Sequence, residues 1–376
     1  MDTLDIAVVG GGILGSSTAL FLARGGMRVA LLERGGLCMA ASGRNAGTLT
    51  LLYAKGPLLP LVVGGKAMWA DAENWLGAGV DYRAAPGIEV AFTEREAGLL
   101  EREMTLRRDA GVPLEIIDGQ RAREMEPGLS HRVLMAAYCA EDGYAASNLV
   151  GGRLRTALVE AGVSIRDGAA VSGIAREDGG FVVEQGGTRV KARRIVLAAN
   201  VWVKEMLGWL GVHDLPIRAR VAQAIVTERM PRVINTVIRV VSQISLKQTN
   251  NGMVLLGGGG GFDWFDDPDA PTGDLKPEIV AQKVGIAVHA VPALANTRIV
   301  RSWHGIEGYT SDNFPLIGPV PGVAGAYVMA CLRSGWSIGP YGGKLMAEIL
   351  LGRRAESDLF HPAFDVGRLS GARVAA

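Results

Sequence analysis

Apolar positions along this chain come in two textures. One is the unbroken run, seen at Ile6 to Val9, within Arg28 to Leu32 and at Ile195 to Ala198. Runs of this kind predict parallel strands buried on both faces. The other texture alternates. Arg218 to Glu228 sets Val221, Gln223 and Ile225 on one side, as a half-buried strand requires. Ile244 to Lys247 and Met253 to Leu256 flank Asn250-Asn251-Gly252 and predict a hairpin. Helical spacing predicts a long helix over Leu61 to Leu76, with Trp69 and Trp75 in the core, and others over Asn148 to Glu160, Glu278 to Val291 and Tyr341 to Leu351. Thr93-Glu94-Arg95-Glu96 has capping-box spacing and starts a helix that runs to about Arg108.

Shorter signals connect these elements. Val163 to Ile165 reads as a parallel-type strand, and Val171 to Ala175, Phe181 to Gln185 and Thr188 to Lys191 as an antiparallel meander. The strand bearing Val171 and the strand ending at Ala198 are assigned to the same sheet as Ile6 to Val9. Ile88 to Phe92, Leu114 to Ile117 and a short helix over Gln120 to Met125 break the doubly wound rhythm. Residues 86–142 therefore read as an inserted block. The glycines at 257–261 predict a flexible loop, because no helix follows them directly.

Composition narrows the class. Hydrophobic residues make up 48% of the 376 residues and charged residues 20%, which suits a globular chain with a large core. A formal charge of +1 argues against electrostatic nucleic-acid binding. Cys38, Cys139 and Cys331 lie far apart. They cannot form a four-cysteine metal or iron–sulfur site, and no metal is expected; such sparse usage suits a reducing cytoplasm. The first strand begins too near Met1 for a leader peptide, and the glycines within Ile6 to Ala23 argue against a membrane span.

Chemistry enters at the first strand. Gly10, Gly12 and Gly15 follow it at Gly-x-Gly-x-x-Gly spacing, where a strand turns into a helix. Gly10 makes the tight turn, Gly12 lets a pyrophosphate approach the backbone, and Gly15 lets helix pack on strand. The helix from Ile13 and Leu14 onward offers N–H groups and the positive end of its dipole. Glu33, closing the second strand about 20 residues on, can accept ribose hydroxyls. A glycine-rich turn between core strands is the plainer alternative. Downstream, small residues around Arg44 in Ser42-Gly43-Arg44-Asn45-Ala46-Gly47 suggest a loop lying against something flat or anionic.

With two later stretches added, the chain resembles the FAD-dependent amino-acid oxidoreductases of the D-amino-acid oxidase superfamily over nearly its full length. The resemblance rests on the glycines with Glu33-Arg34, the Ser42 to Gly47 loop, Ile195 to Asn200, Trp303 to Gly318 and Ser334-Gly-Trp-Ser-Ile-Gly-Pro340. It implies a Rossmann-like FAD-binding domain from 1–85, 143–215 and 300–376. An α+β substrate domain with a mainly antiparallel sheet comes from 86–142 and 216–299. It further implies that Gly10 to Gly15 with Glu33 and Arg34 hold adenosine and pyrophosphate, that the backbone at Val171 receives the adenine, and that Ala198 and Ala199 close the same site. Arg333, Ser334, Gly335, Trp336, Ser337 and Ile338 would hold the flavin ring by its polar edge.

One departure bears on substrate. Relatives that bind a substrate carboxylate commonly carry Gly-Leu-Arg-Pro where this chain reads Gly305-Ile306-Glu307-Gly308. The glutamate form resembles the FAD subunits of multi-subunit opine oxidases, hydroxyproline or proline dehydrogenases and hydrogen cyanide synthase. Ala199-Asn200 also replaces the usual Ala-Gly. Glu307 can hold an ammonium, a hydroxyl or a guanidinium, or can be an ordinary ion-paired glutamate. His304 is either a packed core histidine or a proton acceptor. An odd offset on one strand points the two to opposite faces. Arg44, Lys247 and Arg333 are the candidates for a carboxylate partner, with Tyr53 and Trp336 as further substrate contacts.

The expected activity is oxidation of an amino or imino acid, proline-, hydroxyproline- or opine-like, to the imine by hydride transfer to flavin N5. A partner subunit carrying a second flavin or an iron–sulfur chain is expected to take the electrons, docking on Cys38 to Ala41 with Leu49 to Leu61. A flavin-holding assembly subunit and a monomeric glycine- or sarcosine-type oxidase are the alternatives.

Overall fold

A computed structural model describes residues 3–54, 56–241, 243–258, 264–265, 276–331 and 334–369. Arg333, Leu332 and most of the 257–261 glycine run lie outside the described residues.

Two large sheets carry the molecule. In the first, Leu4–Val9 lies between Val29–Leu32 and Thr188–Leu197, parallel to both. Ser164–Arg166 extends it in parallel beyond Val29–Leu32, and the antiparallel strands Gly180–Gln185 and Val171–Glu177 extend the other side. Ala326–Ala330 joins Thr188–Leu197 in parallel through Ile195↔Ala326. The unbroken apolar runs are thus the central parallel strands, as burial on both faces demands; Ile6, Val8, Leu31, Val196 and Val328 are fully buried.

The second sheet is mainly antiparallel. The long strand Ile217–Arg229 pairs with Met253–Gly257, which is followed by Ile244–Gln248 and Val237–Val240. The 86–142 block supplies Gly87–Ala91, Met135–Cys139 and Glu115–Asp118 at the far side. Along its other edge Ile217–Arg229 pairs with Ile299–Thr310, which sets Arg220 opposite Glu307 and Gln223 opposite His304. The expected boundary at residue 300 groups this strand with the FAD-binding unit, yet its backbone hydrogen bonds put it in the second sheet.

Local expectations meet two adjustments. The helix expected over 61–76 divides into Leu59–Ala70 and Ala72–Leu76, with Asp71 at the break. Trp69 and Trp75 are buried against each other. The Thr93 capping box forms in full, with Thr93 Oγ1 accepting from Glu96 N–H and Glu96 from Thr93 N–H. The last helix starts six residues earlier than its sequence suggests and runs Gly335–Leu350, with Pro340 inside. Proline removes the N–H that would bond the carbonyl four residues back. Here that carbonyl, Trp336 O, accepts instead from the indole Nε1 of Trp69 at 2.8 Å. No helix among the described residues is long and apolar enough to cross a membrane.

Candidate functional site

The carboxyl ends of the central parallel strands open into an elongated cavity, the position that open α/β sheets reserve for ligands. Gly10, Gly12 and Ile13 line it together with Glu33, Arg34 and Val171, and so do Glu307, Gly335 and Trp336. Ala198, Ala199 and Asn200 line it as well.

The glycines divide by what surrounds them. Gly10 has φ +107°, and a Cβ there would stand 2.5 Å from Ala198 O. A Cβ on Gly15 would stand 2.0 Å from Gly10 O, so the fold itself requires glycine at both positions. Gly12 differs: its Cβ would meet only Ser42 Oγ, at 3.1 Å, on the cavity side. The helix Ile13–Arg24 carries no acidic residue in its first turn, and neither does Gly335–Leu350. Two positive helix ends therefore border one cavity. Glu33 grips the loop: its Oε2 accepts from Gly11 N–H at 2.6 Å and its Oε1 from Gly35 N–H at 2.8 Å. Ile13 N–H donates to Ser42 Oγ at 3.0 Å. Arg34 lies 3.9 Å over the ring of Trp202. The indole Nε1 of Trp336 is buried without a hydrogen-bond partner, while its ring stacks on Trp69 with centroids 4.2 Å apart. Two positive helix ends and a buried, unsatisfied indole donor suit a ligand with an anionic portion and a polar edge.

In this cavity Glu307 is half-buried. Tyr309 Oη donates to Glu307 Oε2 at 2.7 Å. Arg220 faces it across the strand pair, and Lys283 approaches from the helix Pro277–Ala290. Desolvation pushes the Glu307 carboxyl up; the Tyr309 hydroxyl, Arg220 and Lys283 pull it back down. Burial also lowers Lys283 to about 8, and its Nζ donates to Gln223 O at 2.6 Å. Sequence reasoning missed Arg220, Tyr309 and Lys283. Their proximity to Glu307 comes from strand register and helix packing, neither of which leaves a spacing motif.

A second, larger cavity of about 1640 Å³ lies on the other side of the Ser42 to Gly47 loop. Arg44, Arg83, Arg155, Lys247 and Arg301 border it, with Asp81 the one carboxylate among its described lining residues. His304 lines this cavity and Glu307 the first, as their odd offset requires. The two are not brought together. Ser42 and Asn45 line the first cavity as well, whereas Gly43, Arg44 and Ala46 border the second. Arg44 donates to Met39 O at 2.8 Å and His304 O at 3.3 Å, so it ties the loop to the neighbouring strand.

The remaining expected contacts fall elsewhere. Lys247 is buried and donates to Ala46 O and Thr48 Oγ1; desolvation lowers it to about 7. Tyr53 lies under Arg239, 4.6 Å from ring centroid to guanidinium, and lines neither cavity. Gly47, Ser337 and Ile338 are buried and line neither cavity. The expected docking stretch is also corrected: Leu49, Leu51, Leu52, Leu58 and Leu61 are buried in the chain's own core, and Met39, 64% exposed, is the one large hydrophobic exposed there among the described residues. Thr50, Tyr53, Gly56, Pro57 and Pro60 interrupt these leucines, so no strand or helix period reveals that they pack inward.

The FAD-dependent oxidoreductase family matches residues 5–349. The chain belongs to this family. It is 27% identical to an opine oxidase subunit of Rhizobium meliloti over 375 residues, covering 96% of each chain. It superposes on the crystal structure of glycine oxidase from Geobacillus kaustophilus with TM-score 0.89 and 24% identity, covering 98% of this chain and 99% of that one. L-proline dehydrogenase from P. horikoshii gives TM-score 0.86 at 23% identity, with 98% of each chain covered. The protein is an FAD-dependent oxidoreductase, and the donor set of the first cavity fits that cofactor.

Proposed function

We propose that this chain oxidises a secondary-amine amino or imino acid, proline-, hydroxyproline- or opine-like, to the corresponding imine. In the first cavity Glu33, Arg34 and Val171 would hold the adenosine of FAD, Gly12 and Ile13 its pyrophosphate, and Gly335 and Trp336 its ring. When bound it supplies an acceptor for the hydride that leaves the substrate Cα. The observation that carries the reading is Glu307, an anion at the ring end of the cavity where glycine-type relatives are expected to carry a cation. Glu307 holds the protonated amine and takes its proton as the Cα–H bond breaks. Burial raises its proton affinity above that of an ordinary carboxylate, which brings it nearer to a working base. Lys283 and Arg220 keep it ionised.

The chain passes electrons to a partner subunit carrying a second flavin or an iron–sulfur chain. The similarity to one subunit of an opine oxidase supports this, as does the cationic second cavity, with exposed Met39 beside it. An acidic partner group is matched there. The test is anaerobic turnover of the FAD-loaded chain with an artificial electron acceptor, comparing proline, hydroxyproline and an opine with glycine. Bleaching by a secondary amine with the highest kcat/KM is expected. Glycine as the best substrate, or no bleaching by any amino acid, overturns the reading.

A further inference from the structure

Asn200 follows the strand Thr188–Leu197 of the first sheet and stands at φ +52°, in the left-handed region. Asparagine tolerates that conformation better than most residues with a side chain, though glycine would meet it without cost. The carboxamide accounts for the asparagine. Its Nδ2 donates to Ile306 O at 3.0 Å, and its Oδ1 accepts from Gly308 N–H at 3.0 Å. Those two residues flank Glu307.

The geometry explains why one side chain can make both bonds. Among the described residues Ile299–Thr310 pairs with Ile217–Arg229 alone, so its outer edge presents unpaired backbone groups. Residues two apart on a strand turn their N–H and C=O to the same edge. The Asn200 amide, donating once and accepting once, therefore stands in for a neighbouring strand at one point. Gly308 permits the approach: a Cβ there would stand 2.8 Å from Asn200 Oδ1, 3.0 Å from Val201 N and 3.1 Å from Cys331 Sγ. Asn200, Cys331 and Glu307 all line the first cavity.

We infer that Asn200 is a positioning residue. It bolts the Glu307 segment of the second sheet to the end of the first sheet and so sets where Glu307 meets the substrate beside the cofactor. Its consequence for turnover rests on the Glu307 reading proposed above.

Two measurements test it. Asn200→Gly keeps the left-handed turn and deletes only the amide. The variant should hold FAD with unchanged absorbance, while native-state hydrogen exchange at the Gly308 amide speeds up by roughly tenfold or more. Its kcat/KM for the best secondary amine should fall by roughly tenfold. In a double-mutant cycle with Glu307→Gln most of that loss should vanish, because Asn200 acts through Glu307. If Asn200→Gly does not fold, Asn200→Asp, which still accepts from Gly308 N–H but sets an oxygen against Ile306 O, takes its place with the kcat/KM and double-mutant expectations alone. Unchanged Gly308 exchange, or a kcat/KM loss that adds in full to that of Glu307→Gln, overturns the inference. Failure of the substrate reading looks different: Glu307→Gln alone then leaves kcat/KM unchanged, and Gly308 exchange still judges the clamp.

Discussion

The two cavities on either side of the Ser42 to Gly47 loop are built from opposite materials. The first is made of backbone: glycines, two helix ends and the loop that Glu33 holds. The second is made of long side chains, with Arg83, Arg155, Lys247 and Arg301 arriving from separate parts of the chain. A backbone site demands close approach, which only glycine at fixed spacing allows, and so writes itself into the sequence. A side-chain site demands nothing of local conformation. Lys247 and Arg155 read as ordinary cations until the fold brings them together.

Substitutions along the phosphate loop should break the first cavity most severely. Gly15→Val should give no soluble folded protein, since its Cβ would overlap Gly10 O. Gly12→Val should instead fold with a near-wild-type circular dichroism spectrum and purify colourless, its side chain filling the space over Ile13. A yellow Gly12→Val at full occupancy would remove the pyrophosphate from that position.

Next in size is Glu307→Gln. Losing a charge-assisted hydrogen bond should cost about 1.5–3 kcal/mol in kcat/KM for a secondary amine. Because burial raises the carboxyl, the wild-type acidic limb of kcat/KM should fall above the usual carboxylate range and disappear in the variant. Unaltered kinetic constants and an unaltered pH profile would return Glu307 to the role of a structural ion-pair member.

The smallest effect sharpens the contrast from the other side. Lys247 is depressed to about 7 by burial, so between that value and 10.5 the unfolded chain binds the extra proton. The cost of charging the buried amine is full below pH 7 and fades as pH rises toward 10.5. Lys247→Met removes this dependence. Its melting temperature relative to wild type should therefore be highest near pH 6.5 and fall steadily by pH 9.5, with flavin content unchanged. A constant difference across that range would mean that Lys247 is not desolvated as the cavity suggests.

The sequence by itself determined the parts governed by local chemistry. Unbroken apolar runs identified the central parallel strands, glycine spacing identified the strand-to-helix turn at Gly10 to Gly15, Thr93 capped its helix, and parity along one strand separated His304 from Glu307. Tertiary structure decided whatever depends on packing between distant segments. Arg220 meets Glu307 through strand register, and Lys283 meets it through a helix docked on the sheet. Trp69 rescues the carbonyl orphaned by Pro340 and lets the last helix begin six residues early. Leu49, Leu51, Leu52, Leu58 and Leu61 turn inward, and Asn200 closes an open strand edge at one point. Each of these is a contact between groups far apart in the chain, whose free energy depends on burial and orientation that no local pattern encodes.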